Sequence, residues 1–579
     1  MSDARTIAGL ALSRTPLFAG LTPAQLFEVE AAMRPRAFDA RSELCRAGEV
    51  GDALFVILDG LAHVLVTDPR TGALETIARL RRGDVVGEMS LITGEPRVAT
   101  VVAGLPTKVL ELDREGFSAV IARHPPILGN LTRILSQRLA AAGTFEIESR
   151  RRGEAVALLV GPALEAVVPR VVAAAQAAAP REVAALDTRD SLQRALAQLD
   201  ELLPAHHAVI LVADLAGAGV ALLADHVDRV VALVDDREAD VLEALRRSSG
   251  AKLRHLELVL AVEGPGGPGG LVDRSAAARI ATRKADGGPD ALATGDVAWL
   301  SRHLTRTKLG LALGAGGAKG YAHIGVLHVL EQAGYTVDAV GGSSIGAIVG
   351  SWVALGRSAA EIEAAMREAF TPENVAAMFK LSLTGMSTGL DTMTSVLRAS
   401  TGERTFDDLV IPLVVMSVDL TERKTAPITD GPLWEALLAA TALAGIFPPY
   451  QRNGQRLVDG LALVPVPTEE VAAAGADVTV AVNIMPRETL PAWPGEQPPE
   501  PPPAKGGSRM LDTLLEVMDL AQLDASVRHA ALADVVVTPR FGPASWRDFH
   551  LADLFLAAGR AATEEQLARL RSLARPAAG

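Results

Sequence analysis

Cysteine is almost absent from this chain, where Cys45 stands alone among 579 residues. A single thiol excludes an internal disulfide and a cysteine-built metal site, and it fits a reducing compartment. Aromatic residues are scarce at 4% while hydrophobic residues reach 49%, so the cores are expected to be aliphatic and rich in alanine. No apolar run approaches the ~20 residues that a membrane-spanning helix needs, and Met1 to Thr15 lacks the charged-then-apolar layout of a signal peptide. A cytoplasmic location is expected, peripheral to membrane where lipid is touched. Positive charge is in deficit. The formal charge of −13 argues against nucleic acid as a partner and against broad attachment to anionic lipid, which leaves transient, hydrophobic contact. At this length three to four domains with ample cores are expected; nothing in the chain sets an oligomeric state.

What is present begins with Gly342-x-Ser344-x-Gly346. The preceding Thr336 to Val340 is strand-like, and Ala347 to Val353 reads as a buried helix. A serine on such a strand-to-helix turn is exposed as a nucleophile, and the helix start behind it offers partial positive charge to a developing alkoxide. With 52 glycines in the chain, the spacing alone is a weak sign. Upstream, however, the apolar run Leu309–Leu313 empties into Gly314-Ala315-Gly316-Gly317-Ala318-Lys319-Gly320 and then a helical pattern. A loop of this kind turns successive backbone N–H groups toward one anionic point, a phosphate or an oxyanion. The spelling departs from a Walker loop and from a dinucleotide fingerprint. A third feature, Leu457-Val458-Asp459-Gly460, ends an apolar strand in a carboxylate, and Gly445 to Tyr450 before it is an apolar, proline-stiffened stretch suited to wall an acyl pocket.

Together the three resemble the patatin-like phospholipase family, as do Lys319 to Leu327 and the approach from Leu433 to Pro449. The resemblance implies a Ser344–Asp459 dyad, with the N–H groups of Gly316, Gly317 and Ala318 meeting the oxyanion, hydrolysis of phospholipid or lysophospholipid acyl esters, and no required cofactor. Ala315 stands where the family usually has the first glycine of its triplet. Leu461 stands where Gly or Ala usually follows Asp-Gly, and it is expected to narrow the site beside Asp459. The rival enzyme reading, a Ser-His-Asp triad, needs a histidine after the acid; His529 and His550 are available. His323 and His328 lie five residues apart, off a common helical face, so no metal site is expected.

Upstream of these motifs, Gly48 to Val66 alternates strands with turns, as a small β-barrel does. Gly87 to Val101 follows, and it resembles the phosphate-binding cassette of cyclic-nucleotide-binding domains. The resemblance implies a nucleotide site at Gly87, Glu88 and Arg97, with cAMP or cGMP as the candidate effector; Val98 departs from the usual hydroxyl or small residue. Between the two regions, apolar strands at 155–160, 207–214, 230–235 and 256–262 alternate with helical stretches, the pattern of a parallel sheet. Gly264 to Gly270 reads as a loop or hinge, and Pro494 to Gly507 as a proline-rich exposed tract.

The expected fold is multidomain α/β. It comprises a cyclic-nucleotide-binding-like β-barrel at 1–148, a small α/β domain with a parallel sheet at 154–300, a patatin-like α/β domain at 307–490, and helices and a strand completing it at 508–579. This order resembles bacterial relatives of neuropathy target esterase. The expected function is a serine lipid acyl hydrolase regulated by its amino-terminal domain; the alternative is a cyclic-nucleotide-responsive or lipid-binding scaffold without turnover.

Overall fold

A computed structural model describes residues 12, 15–39, 42–67, 74–80, 82–104, 106–131, 153–215, 217, 219–224, 226–235, 256–261, 277–280, 288–378, 389–444, 446–486 and 509–576. The glycine-proline stretch at 264–270 and the proline-rich tract at 494–507 lie outside the described residues. The chain divides into two compact units, Met1–Arg151 and Arg152–Gly579.

In the first unit two antiparallel four-stranded sheets form a jelly-roll-like cyclic-nucleotide-binding fold. One runs Arg34–Phe38, Thr107–Asp113, Ala53–Asp59, Val85–Val86; the other runs Glu43–Cys45, Thr100–Ala103, Ala62–Thr67, Leu74–Leu80. Side chains alternate across a strand, and Ala53–Asp59 uses both faces. Phe55 and Ile57 enter a core with Val101 and Val109, while Leu54 and Val56 pack with Phe18, Phe117 and Ile127.

The second unit contains two sheets. The middle one is entirely parallel, in the order Val183–Asp187, Ala208–Asp214, Glu154–Val160, Arg229–Asp235, Leu256–Ala261, Ala277–Ile280. Both faces are covered, one by Val168–Ala178 and Thr294–Leu304, the other by Leu192–Leu202 and Val220–Ala224, which is why its inner strands read as continuous apolar runs. Four of the six strands match the sequence pattern. Val183–Asp187 and Ala277–Ile280 are outer strands of alanine-rich composition, with little β-propensity to mark them.

The larger sheet has eight strands, in the order Tyr450–Arg452, Gln455–Asp459, Leu413–Asp419, Val337–Ser343, Leu309–Leu313, Val478–Val482, Val535–Val537, with Lys424–Ile428 pairing Leu413–Asp419. Leu309–Leu313 and Val478–Val482 are buried at every residue. The helices Tyr321–Gln332, Ile345–Ala354 and Ala552–Leu573 supply Ile324, Leu327, Ile348, Trp352, Phe555 and Leu556 to the same core.

A buried ion pair ties the two sheets. Arg302, on the helix that covers the middle sheet, donates to both oxygens of Asp338 at 2.9 and 2.7 Å. Asp338 also accepts the N–H of Leu309 at 2.9 Å. One carboxylate thus joins the middle sheet to the strand that leads to Ser344 and the strand that leads to the glycine loop. Asp338 is 2% exposed and Arg302 is 11% exposed; removing one partner of such a pair leaves an uncompensated buried charge. Arg302→Ala is expected to cost about 3–5 kcal/mol, read as a lowered urea midpoint. The double variant Arg302→Met with Asp338→Asn is expected to lose less than the single one, and a larger loss in the double variant would contradict this account.

Candidate active site

The strand Val337–Ser343 ends where Ser344 begins a tight turn, with φ 54° and ψ −124°. A non-glycine residue at positive φ is strained and persists only when its surroundings over-determine it. Here the turn is closed by close packing of backbone on backbone, since a Cβ on Gly342 would lie 2.2 Å from the carbonyl of Gly346. Ser344 occupies the N-cap position of the helix Ile345–Ala354 without a side-chain cap, so its hydroxyl lies at the positive end of the helix dipole and is left to Asp459.

The register of one intervening strand brings the carboxylate to the serine. Ser343 pairs with Met416 in parallel, and the next residue of that strand, Ser417, pairs with Asp459 antiparallel. Ser344 and Asp459 therefore emerge side by side across Leu413–Asp419. Ser344 Oγ donates to Asp459 Oδ2 at 2.7 Å. Asp459 Oδ1 accepts the N–H of Leu461 at 2.8 Å, and its own N–H donates to Ala442 O at 3.1 Å. At 3% exposure the carboxyl has little water to stabilise its charge. Burial pushes its pKa up to about 7, against the opposing pull of the Leu461 N–H and the Ser344 hydroxyl. The partner of the serine is a carboxylate, with no imidazole interposed. His550 sits in the turn Phe549–Leu551, ahead of the closing helix.

The glycine-rich loop is fixed at its entrance by three hydrogen bonds: Gly314 N–H to Val482 O, Ala315 N–H to Pro465 O, and His323 Nε2 to Gly314 O at 2.8 Å. A carbonyl accepts, so Nε2 of His323 carries the proton. Full burial draws its pKa down to about 4, and the ring is neutral. In sequence His323 drew attention only as half of a metal pair with His328; His328 instead contacts Glu363 at 3.0 Å. Among the described residues no cluster suited to a metal ion occurs.

Of the three residues expected to meet an oxyanion, the structure removes one. The N–H of Ala318 donates to Trp546 O at 2.7 Å, so it is already taken by a distant part of the chain that the local motif does not reveal. No protein acceptor is recorded for the N–H groups of Gly316 and Gly317 among the described residues. Gly317, at φ +56°, lies directly beneath Trp546, where a Cβ would meet that carbonyl at 2.4 Å.

Beside the base, Leu390, Met393, Leu438, Ala442, Phe447 and Tyr450 line a small cavity of about 90 Å³. Its Ala442 is the residue that accepts the N–H of Asp459. Phe447 to Tyr450 thus border the pocket as the apolar stretch suggested, while Gly445 lies outside the described residues.

In the first unit, Gly87 at φ 87° precedes the short helix Glu88–Thr93. Glu88 is 2% exposed and Arg97 is 7% exposed. Arg97 donates to Gly87 O at 2.7 Å and Ala53 O at 2.5 Å, which uses two of the five N–H groups of its guanidinium. Arg114, which sequence reasoning passed over, holds the same helix through Leu91 O at 2.9 Å and the neighbouring turn through Gly51 O at 2.7 Å. Val98 points into solvent.

Residues 311–472 match the family model for patatin-like phospholipase, and residues 35–124 match that for the cyclic nucleotide-binding domain. Patatin-like phospholipase domain-containing protein 6 of Mus musculus is 26% identical over 521 residues, covering 77% of this chain and 38% of its own length. The chain therefore spans well under half of that relative. An uncharacterized NTE family protein of Mycobacterium tuberculosis is 26% identical over 591 residues, covering 98% of this chain and 97% of its own. Among solved structures, a cyclic nucleotide-binding domain from Methylobacillus flagellatus is 30% identical over 24% of this chain and 80% of that one, with a TM-score of 0.22. The chain thus contains one region, residues 311–472, that matches the patatin-like phospholipase model and another, residues 35–124, that matches the cyclic nucleotide-binding domain.

Proposed function

We propose that the protein is a serine lipid acyl hydrolase that cleaves the carboxylic esters of phospholipids or lysophospholipids through a Ser344–Asp459 dyad. The observation that carries this reading is the 2.7 Å contact between Ser344 Oγ and a carboxylate 3% exposed. In the first step Ser344 Oγ attacks the ester carbonyl, and its proton passes to Asp459 Oδ2. The tetrahedral oxyanion is met by the N–H groups of Gly316 and Gly317 and by the start of the helix Ile345–Ala354. Collapse expels the alcohol, which takes the proton from Asp459. Water then attacks the acyl-serine with Asp459 again accepting a proton, and collapse returns that proton to Ser344 Oγ as the fatty acid leaves. A carboxylate of ordinary pKa, about 3.9, would be a poor base for a serine; burial is what lifts Asp459 toward the range where it accepts a proton usefully at neutral pH.

Contact with a lipid surface is proposed to be peripheral and hydrophobic. Leu463 is 44% exposed, and Val517 and Leu520 on the helix Arg509–Ala530 are 58% and 69% exposed. No helix among the described residues is long and apolar enough to cross a membrane. A cytoplasmic setting fits the lone, buried thiol of Cys45.

The amino-terminal domain is proposed to take cAMP or cGMP as an effector. Glu88 and Arg97 occupy the cassette, and three N–H groups of Arg97 remain beyond the two that hold backbone carbonyls.

Fatty acid release from lysophosphatidylcholine tests the hydrolase. Ser344→Ala and Asp459→Asn are each expected to lower kcat by about 10³-fold or more, since members of one catalytic unit fail together. Full activity in Asp459→Asn would place the base elsewhere.

The pH profile follows from the raised pKa. The base must be ionised, so kcat/KM is expected to rise with pH and reach half its plateau near 7. The same shift bears on stability. The folded pKa exceeds the unfolded value, so folding favours the protonated form. That contribution is complete below about pH 4 and is lost as pH rises through 7. Asp459→Asn, which mimics the protonated form, is expected to unfold later than wild type above pH 7, by on the order of 2–4 kcal/mol, with the gap closing at low pH. A variant less stable than wild type at pH 8 would count against the buried, strained charge.

For the effector, calorimetric titration with cAMP and cGMP is expected to give at least tenfold weaker binding in Arg97→Lys, because lysine cannot reproduce a planar fork. Equal rates of hydrolysis with and without saturating nucleotide would sink regulation by this domain.

A further inference from the structure

Leu461 touches the machinery twice. Its backbone N–H donates to Asp459 Oδ1 at 2.8 Å, and its side chain, 7% exposed, is packed in a small apolar cluster with Ala315 and Met485, bordered by Leu443 and Leu523. Ala315 is the second residue of the glycine-rich loop, Met485 follows the strand Val478–Val482, Leu443 ends the segment after the helix Leu433–Ala440, and Leu523 belongs to the helix Arg509–Ala530. One small cluster therefore joins the side chain of Leu461 to the glycine-rich loop and three further segments, while its own N–H holds Asp459. The two places where the chain departs from the family spelling, Ala315 and Leu461, share this cluster, and the bulk at 461 packs within it.

The tie between the two loops has a second strand of backbone. Ala315 N–H donates to Pro465 O at 3.0 Å, and Leu463 and Val464 N–H close the turn onto Gly460 O. The hydroxyl of Ser343, next to the nucleophile, donates to Val464 O, and Gln522 Nε2 holds Ala462 O at 3.1 Å. Residues 459–465 thus form a short turn pinned to the nucleophile strand, the oxyanion loop and the Arg509–Ala530 helix. In that turn the side chain of Leu461 is the apolar plug.

We infer that Leu461 is a positioning residue: packed against Ala315, it sets the spacing between the base carboxylate and the oxyanion loop and keeps its own N–H on Asp459. This rests on the Ser344–Asp459 reading. Neither side chain of the pair touches the reacting atoms. Their effect passes through two backbone groups, the N–H of Leu461 and the loop that presents the N–H groups of Gly316 and Gly317. A shortened side chain at 461 leaves a void between turn and loop, and both relax into it. The hydrogen bond to Oδ1 then lengthens, and because that bond favours the ionised carboxylate, its loss drives the proton affinity of Asp459 further up.

The test compares Leu461→Ala, Leu461→Met and Ala315→Gly with wild type in the full chain, reading kcat, KM and the acidic limb of kcat/KM on lysophosphatidylcholine, with urea unfolding alongside. Leu461→Ala is expected to lower kcat about 100-fold, the scale of a misplacement near 1 Å, with KM changed no more than about twofold because substrate binding is not what was removed. The acidic limb is expected to move to higher pH, a change that a purely structural role would not produce. Leu461→Met, which refills the volume, is expected to restore both rate and limb. If Leu461→Ala does not stay folded, Ala315→Gly, which removes only the methyl facing Leu461, is expected to show a loss of about threefold with the same upward movement of the limb. A folded Leu461→Ala with wild-type kcat and limb, or Leu461→Met as slow as Leu461→Ala, overturns the assignment; so does an unaltered Ala315→Gly where the alanine variant unfolds. Failure of the dyad itself is separately visible. An enzyme indifferent to Asp459→Asn refutes the dyad, whereas one that needs Asp459 but ignores Leu461→Ala refutes the positioning role alone.

Discussion

Keeping water from one carboxylate, Asp459, is the constraint on which the proposed catalysis turns. An aspartate open to solvent is ionised and weakly basic at neutral pH, so a serine beside it would gain little. Burying the group costs free energy, because a charge is moved out of water, and the fold has to hold it there with few compensating bonds. Asp459 has two such bonds, from the Leu461 N–H and the Ser344 hydroxyl. They are enough to keep it seated, and too few to cancel the effect of burial on its pKa. More donors would stabilise the carboxylate and blunt the base.

That balance depends on features remote from the dyad. The register across Leu413–Asp419 places Ser344 and Asp459 on neighbouring rungs. Asp338 holds the first residue of the glycine-loop strand while itself lying on the serine strand, and Arg302 neutralises it from the helix over the middle sheet. Through this pair the middle sheet carries part of the electrostatic load of the larger sheet. Arg306 adds a second link, donating to Glu154 of the middle sheet at 2.7 Å and lying 3.8 Å from Asp477, just before the strand Val478–Val482. The two sheets accordingly form one compact unit where the sequence pattern suggested two domains.

Much of the site was legible in sequence because its chemistry is local. Gly342-x-Ser344-x-Gly346, a weak sign alone, gains weight from the glycine-rich loop and the Asp459 strand that accompany it, and its glycines fit a turn that leaves no room for a Cβ. The parts that were not legible are those set by distant segments. Ala318 sits in the glycine-rich loop and looks the equal of its neighbours, yet Trp546 takes its N–H. Spacing set His323 aside as a metal partner of His328 but, describing only its own helix, could not supply its actual partner, a backbone carbonyl in the preceding loop. The outer strands Val183–Asp187 and Ala277–Ile280 escaped notice because short, alanine-rich segments become strands through the neighbour they pair with rather than through their own preference. A stronger signal existed for His323: a histidine set among apolar residues on a helix needs a partner for its ring, and the loop before it was a nearby source of carbonyls.

Asp459 and His323 are driven in opposite electrical directions by one cause. Burial lifts Asp459 toward about 7 and lowers His323 to about 4, because desolvation penalises whichever form is charged. Neither shift requires a charged neighbour. His323 therefore stays neutral while it holds Gly314, and it places no positive charge behind the oxyanion loop. In the proposed mechanism, stabilisation of the oxyanion then falls to oriented dipoles, the N–H groups of Gly316 and Gly317 and the start of the helix Ile345–Ala354. Dipoles held in a dry site act without reorganising as charge develops, whereas a buried cation would also have stabilised the ionised form of Asp459 and weakened it as a base. The proposed two-residue dyad would work on those terms: one proton moves, one group carries it, and the same burial that raises the proton affinity of Asp459 also strengthens the hydrogen bonds of an oxyanion formed beside it.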